Sequence, residues 1–425
     1  MTLKFAAGII FIIVYLLLIL FPKKRHHIAI IGAIIFVASS IVPLTSVALI
    51  INWNVLGILL GTMGIVALLI ESRIPSLLGD IVIDKAPNVK MAIFVLALFA
   101  GFISAFTENV STLLLVAPVA FSICERIGIS PVPAIISIAV SSNLQGAATL
   151  VGDPTSMLLA GYAHMDFLDF FWYNHHLSIA IPTEIGALAA SLVLLYIFRK
   201  ETHPIHLEEK TVVTDWFPGY LALSLVGALI FASFLPFKNI NGLICVTFLV
   251  IGIIRTILVK KYFIVKKIVK EIDWDTILLL TGLFIIVQGL VNIQIVKDIA
   301  HFMTNLSKGN IFLGYTIIIW GSVLASAFID NVPYVITMLP VVGTMSVMLK
   351  APPELFLFGL LIGATLGGNI TPIGASTNIA ATGLLRKKGY PVSFKEFASI
   401  GLPFTIAAVT AAYIGLYLIM LPFMH

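Results

Sequence analysis

"AFTENVSTLLLVAP", residues 105–118, and "AFIDNVPYVITMLP", residues 327–340, follow one pattern. Each opens on Ala-Phe, sets an acid directly before Asn-Val, and closes on Pro. A displacement of 222 residues carries one onto the other. It also carries 105–161 onto 327–383 without a gap, with 13 identities in 57 positions. Among them are Asn109/Asn331, Pro118/Pro340, Gly146/Gly368, Thr149/Thr371, Gly152/Gly374 and Thr155/Thr377. Apolar bias inflates chance matches, but it does not place Asn, Gly and Pro in one ungapped register. A second echo pairs "INWNVLGILLG" at 51–61 with "IDWDTILLLTG" at 272–282. The chain is an internal duplication.

What surrounds the duplicated pattern sets the class. Of the 425 residues, 60% are hydrophobic and 11% charged, with mean hydropathy +1.11. Soluble domains carry about a quarter charged residues. Apolar stretches near 4–21, 28–47, 53–71, 177–198, 217–235, 240–258, 274–294 and 401–422 approach or reach the ~20 residues that span a bilayer. The fold class is an all-α polytopic membrane protein. The run 5–21 lacks an A-x-A-like site and meets "PKKRHH" at once, so it reads as a retained span rather than a signal peptide. The net charge of +5 reads as cytoplasmic loops, not nucleic-acid binding. Cys124 and Cys245 read as small buried hydrophobes.

Lysine and arginine give the orientation. Two regions, 91–163 and 309–386, are apolar but interrupted. Each is read as a re-entrant hairpin (about 91–128 and 309–349) followed by one broken span. With 22–27 cytoplasmic, the segments 22–27, 72–90, 126–130, 199–216, 255–273 and 386–395 then share that side. They hold 20 of the 25 Lys and Arg, a positive-inside pattern. The expected architecture has two inverted repeats, 1–198 and 217–425, joined by a cytoplasmic linker at 199–216. It has about ten crossings, two hairpins, and interrupted helices at the midplane. Scaffold and transport parts are each drawn from both repeats.

Inverted repeats with broken helices are the physical signature of secondary transporters. Broken backbone at bilayer depth survives only where protein packs it or a wet cavity bathes it. Four breaks qualify. The tips supply Thr107, Glu108, Asn109 and Ser111, then Asp330 and Asn331. The interrupted spans supply Thr149, Gly152, Asp153, Thr155 and Ser156, then Thr371, Gly374, Ser376, Thr377 and Asn378. Asp153-Pro154 reads as the N-cap and first position of a restarting helix. The plainer alternative is that the acids only cap helices, the tip amides only brace backbone, and the hydroxyls only pack. Against it, an intramembrane acid costs about 2.5–3.5 kcal/mol at a helix centre, and each repeat keeps one at the same place. Glu184 stands outside the repeat pattern and reads as interfacial or as a lone ion site. The binding elements carry no basic residue of their own, so a bare multivalent anion would need co-bound cations, protonated acids or helix dipoles.

"TENVST" 107–112, "ATLVGDPTSM" 148–157, "DNVPYVITMLP" 330–340 and "GATLGGNITPIGASTNIAATG" 363–383 resemble the citrate-transporter-like permeases of the ion transporter superfamily. That group includes arsenite permeases of the ArsB type, NhaD-type sodium/proton antiporters and the melanosomal P protein. The resemblance covers essentially the whole chain. It implies a dimerising scaffold, an elevator-like transport part, and site residues at Asn109, Asn331, their preceding acids, Gly152–Ser156 and Gly374–Asn378. Glu108 stands where the family pattern usually has Asp, and "DPTSM" replaces Asp-Pro-Pro-Asn-Ile. The expected function is ion-coupled transport of a small anion or neutral oxyacid such as arsenite, with a sodium/proton antiporter as the second reading. A passive channel is the third. Sodium or a proton is the expected coupling ion, with Asn109, Asn331, Asp153 and Asn378 as candidate sodium ligands and no other cofactor. Expected partners are a small inorganic or organic solute, membrane lipid and a second copy of the chain, with no nucleic acid. A separate ATPase would leave no trace here. The expected location is the cell (inner) membrane, multi-pass. No HExxH, GxSxG or Cys/His cluster points to an enzyme.

Overall fold

The computed structural model describes residues 2–84, 86–200, 211–237 and 239–424. Residues 201–210, the greater part of the expected linker, lie outside that set, as does Lys238. The first half runs through α1 (Thr2–Leu20), α2 (Arg25–Ala38), the short α3 (Val47–Ile50), α4 (Trp53–Ser72) and α5 (Ile74–Asp84). The hairpin arms α6 (Val89–Ser104) and α7 (Asn109–Ile127) follow, then α8 (Val132–Gly146), α9 (Pro154–Ala163) and α10 (Ala180–Ile197). The second half repeats the order. It has α11 (Phe217–Ala232), α12 (Asn241–Leu258), α13 (Tyr262–Glu271), α14 (Trp274–Asn292) and α15 (Ile295–Leu306). The second hairpin is α16 (Ile311–Ser326) and α17 (Asn331–Leu349), followed by α18 (Pro353–Gly367), α19 (Ser376–Lys387) and α20 (Phe394–Met420).

Local signals recur with the elements. Asn88 caps α6 through Met91 N–H, and Asn310, 222 residues on, caps α16 through Leu313 N–H. Asn52 caps α4 and Asp273 caps α14 in the same manner. Between the hairpin arms the chain turns within four residues, 105–108 and 327–330. The first arms, α6 and α16, have 16 residues and are about 24 Å long at 1.5 Å per residue, short of a full crossing; the second arms, α7 and α17, have 19, and α17 is long and apolar enough to cross a membrane.

One expected span is shorter than its apolar run. The stretch 28–47 is helical only to Ala38; Ser40 then adopts φ 57°, and Ile41 and Val42 N–H both return to the Phe36 carbonyl. Hydropathy alone does not register such a turn. In the other direction, α20 begins at Phe394, seven residues ahead of the run at 401. Cys124 and Cys245 are buried and not disulfide-bonded.

Packing sorts the helices into two bodies. In one, α2 lies along α14 and, reciprocally, α12 lies along α4, with α1, α11 and α13 added. Small residues allow this approach: a Cβ on Gly61 would sit 2.4 Å from the Cys245 carbonyl carbon, and one on Gly282 2.6 Å from that of Ala29. In the other body, α6 and α7 pack on α8, α16 and α17 pack on α18, and α10 lies along α20. The bodies meet more lightly, mainly where α4 touches α9 and α14 touches α17, with α5 and α15 running between them.

Candidate functional site

All four breaks meet at one cavity of about 410 Å³. Its wall includes Glu108, Asn109, Asp153, Asp330, Asn331 and Thr377. Exposed Glu271 and Asp273 also line it, so it opens toward the side carrying the basic loop 255–273. The starts of α7, α9, α17 and α19 all reach this wall. Four helix N-termini therefore direct the positive ends of their dipoles at one space.

The breaks are tied to the tips by backbone. Thr149 Oγ1 donates to the Ala105 carbonyl, and Thr371 Oγ1 to that of Ala327 at 2.5 Å. Ser156 Oγ donates to Gly146 O at 2.9 Å, while Asn378 at the matching position donates to Gly368 O at 2.9 Å and to Thr371 O at 2.9 Å. Gly152 and Gly374 permit this closeness. A Cβ there would come within 2.8 Å of Gly146 O and 2.5 Å of Gly368 O.

The first half-site is closed on itself. Glu108 caps α7, accepting from Ser111 N–H at 2.8 Å. Thr107 Oγ1 shares a hydrogen bond with Thr112 Oγ1 at 2.5 Å. Asp153 caps α9, accepting from the Thr155 N–H and hydroxyl, each at 2.8 Å. Asn109 donates to Asp153 Oδ2 at 2.5 Å and accepts from Ser104 Oγ at 2.6 Å. Asn109 also reaches Asn143, whose own amide donates to Asn369 Oδ1 at 2.9 Å and Asn378 Oδ1 at 3.0 Å. An amide chain thus joins the two halves across the buried core. Thr155 and Thr365 hydroxyls, 3.0 Å apart, make a second link.

The second half-site is more open. Asp330 caps α17 through Val332 N–H at 3.1 Å and accepts from Ser376 Oγ at 3.0 Å. Ala375 stands where Asp153 stands in the first half, and no side chain caps α19. The Asn331 side chain lines the cavity and makes no hydrogen bond among the described residues. Glu108, Asp153 and Asp330 thus each cap a helix N-terminus, and all three line the cavity.

One expectation needs correction: although the binding elements bring no basic side chain to the cavity, the site is not without fixed positive charge, because Arg25, the first residue of α2, places Nη1 2.6 Å from Asp330 Oδ2. Basic residues beside a first span read as loop charge, and nothing local marks one as turned inward. Glu184, read as interfacial or as a lone ion site, is exposed, accepts from Gln145 Nε2 at 3.0 Å, and does not line the cavity. Sequence reasoning also missed Asn143 and Asn369. Their partners across the repeat are Thr365 and Ala147, so the duplication gave no signal for them.

This arrangement defines a secondary transporter: a polytopic membrane protein with broken helices facing one central cavity. A family profile described as "Citrate transporter" matches residues 15–355, and the chain belongs to the citrate transporter family. It is 33% identical over 379 residues to the uncharacterised transporter Rv2684 of Mycobacterium tuberculosis, covering 87% of this chain and 86% of that one. It is 26% identical to the P protein of Homo sapiens over 457 residues, covering 86% of this chain and 53% of that protein. Among solved structures, the YdaH transporter of Alcanivorax borkumensis shares the fold at TM-score 0.62 and 14% identity, covering 88% and 87% of the two chains. MtrF of Neisseria gonorrhoeae does so at TM-score 0.58 and 17% identity, covering 88% and 83%. The chain is a multi-pass membrane transporter of a small solute, not an enzyme.

Proposed function

We propose that the protein moves a small oxygen-rich anion or neutral oxyacid together with a cation, by elevator-like travel of the hairpin body along the scaffold body. The observation that carries this reading is the unequal capping of four convergent helix N-termini. Three bear their own carboxylates, Glu108, Asp153 and Asp330; the fourth, α19, bears none. An anion is favoured at an uncapped N-terminus, beside the unbonded Asn331 amide and the Ser376 and Thr377 hydroxyls. Carboxylates in both half-sites, Asp153 beside Asn109 in the first and Asp330 in the second, suit a cation. Five carboxylates on the wall, Glu108, Asp153, Asp330, Glu271 and Asp273, against one arginine leave it net negative, so a multivalent anion enters with its charge partly covered. Citrate, from the family's description, and arsenite are the first solutes to test. Dimerisation through the scaffold, implied by the resemblance, belongs to the same proposal.

Purified protein in liposomes is expected to accumulate one of these solutes when a sodium or proton gradient is imposed. Equal accumulation with the gradient collapsed would overturn the coupling. The antiporter reading is favoured only by the density of carboxylates. It requires sodium-driven pH change in solute-free proteoliposomes, and seeing that change would replace the first reading with the second.

A further inference from the structure

Arg25 is the one cationic side chain on the cavity wall among the described residues. It belongs to the other body. It is the first residue of α2, which lies along α14 in the scaffold, whereas Asp330 sits at the tip of the second hairpin. The ion pair, with side chains 17% and 5% exposed, crosses the boundary that an elevator motion must open. A second tie lies beside it: the Tyr15 hydroxyl on α1 donates to the Pro333 carbonyl and meets the Thr337 hydroxyl. The cavity is open toward the side of the basic segment 255–273, the side the Lys and Arg pattern assigns to the cytoplasm, while these ties are made.

We infer that Arg25 is a scaffold-borne counter-ion that competes with a small monovalent cation, sodium or lithium, for the Asp330 carboxylate, and that it prevails only while the second hairpin is docked on the scaffold. This rests on the elevator reading and deepens it. Asp330 shares the cavity wall with four other carboxylates, Glu108, Asp153, Glu271 and Asp273. Removing the arginine leaves a buried carboxylate among like charges, which strongly favours capture of another cation. As the hairpin leaves the scaffold, Asp330 exchanges arginine for cation. As it returns, arginine expels the cation toward the cytoplasm. Docking and cation binding then oppose each other, and by linkage each weakens the other by the same factor. Arg25 is a positioning residue in this scheme; it acts through Asp330 rather than on the solute.

The test uses the full-length protein with Ile19→Cys and Ile373→Cys, two residues that line the small cavity between α1 and the second break. Both native cysteines are buried. A bifunctional maleimide reports docking, and thermal shift against sodium and lithium reports cation binding. Saturating sodium is expected to slow cross-linking at least about fivefold relative to choline. Arg25→Gln is expected to slow it by a similar factor in choline and to lower the sodium midpoint about tenfold. Arg25→Lys should fall between. An unchanged cross-linking rate, or an unchanged sodium midpoint, in Arg25→Gln overturns the inference. Asp330→Asn breaks the pair from its other side; if Arg25→Gln does not fold, the cross-linking rate of Asp330→Asn in choline decides the docking question in its place. A separate control concerns the elevator: cross-linked protein is expected to lose flux. If it transports normally, the elevator reading fails. If flux stops but Arg25→Gln changes neither quantity, the elevator stands and the counter-ion role of Arg25 fails.

Discussion

The two half-sites come from one ancestral pattern and have diverged in what they leave open. In the first, Asn109, Asp153, Asn143 and Thr155 are all engaged by other protein groups, partly one another and partly residues of the second half. In the second, Ala375 replaces the acid, Asn331 turns to the cavity, and the remaining carboxylate is held by a residue from another body. A duplicated fold thus supplies two frames of equal backbone geometry, because Thr149/Thr371 and Gly152/Gly374 are kept. Side-chain changes at a few matched positions then assign the frames different ligands. One frame is prebuilt and acidic; the other is poised for an anion.

The sharpest way to break this contrast is to truncate the two tip amides. Asn109→Ala takes one of three donors from the buried Asp153 carboxylate and also strands Ser104 and Asn143. A hydrogen bond to a charged group is worth about 1.5–3 kcal/mol. Thermal stability should fall and gradient-driven flux in proteoliposomes should drop at least about tenfold, as 1.4 kcal/mol is worth a factor of ten. Asn331→Ala removes no protein hydrogen bond. Its melting temperature should match that of the unmodified protein, and its defect should appear as a raised KM for solute. Equal losses of stability in the two variants would mean the half-sites are alike after all.

Ala375→Asp converts the second frame into a copy of the first. An acid at an N-cap stabilises a helix by about 0.5–2 kcal/mol relative to alanine, so the melting temperature should hold or rise. The same carboxylate occupies the vacant helix end and repels an anion. Solute uptake should fall about tenfold or more, an effect of at least ~1.4 kcal/mol. Stability and transport are expected to move in opposite directions, which a mere packing defect would not produce. Uptake that survives Ala375→Asp would remove α19 as the anion's seat.

How much of this the sequence disclosed follows from the kind of signal each feature leaves. The hairpins and broken spans were legible because Gly, Pro, Asn and acids inside apolar runs have few explanations in a bilayer, and because the ungapped 222-residue register repeated them. The tip acids and amides were legible for the same reason. Arg25 was not, since a basic residue after a first span has an ordinary explanation in topology. Asn143 was not, since a single amide in an apolar helix reads as packing. Its role depends on Asn369 and Asn378, more than 200 residues away in sequence. The turn at Ser39–Ser40 escaped because hydropathy continues across it.

The paired glycines test the part of the comparison that ought to be symmetric. In Gly152→Ala the new methyl meets Gly146 O at 2.8 Å and Ser104 O at 3.0 Å; in Gly374→Ala it meets Gly368 O at 2.5 Å and Ser326 O at 2.8 Å. These are backbone atoms that cannot rotate away. Overpacking of this kind costs about 1–3 kcal/mol. Both variants should melt lower, Gly374→Ala by at least as much as Gly152→Ala. A loss confined to one would show that only one break is held by close backbone contact.

The smallest expected effect separates the frames at a position where they have the same residue. Thr155 and Thr377 are matched and both buried. Thr155 Oγ1 serves Asp153 at 2.8 Å and lies 3.0 Å from Thr365 Oγ1. The Thr377 side chain has no hydrogen bond among the described residues and lines the cavity. Valine keeps the shape of threonine and removes the hydroxyl. In Thr155→Val a buried carboxylate loses a donor, worth about 1.5–3 kcal/mol for a hydrogen bond to a charged group. In Thr377→Val no protein partner is stranded, so stability should stay within about 0.5 kcal/mol. Identical residues in equivalent backbone settings would then differ in stability effect solely through their neighbours, Asp153 in one frame and Ala375 in the other. Measured by thermal shift in one detergent, equal effects would show that the hydroxyls act on packing, and that the acid has no part in what distinguishes the two frames.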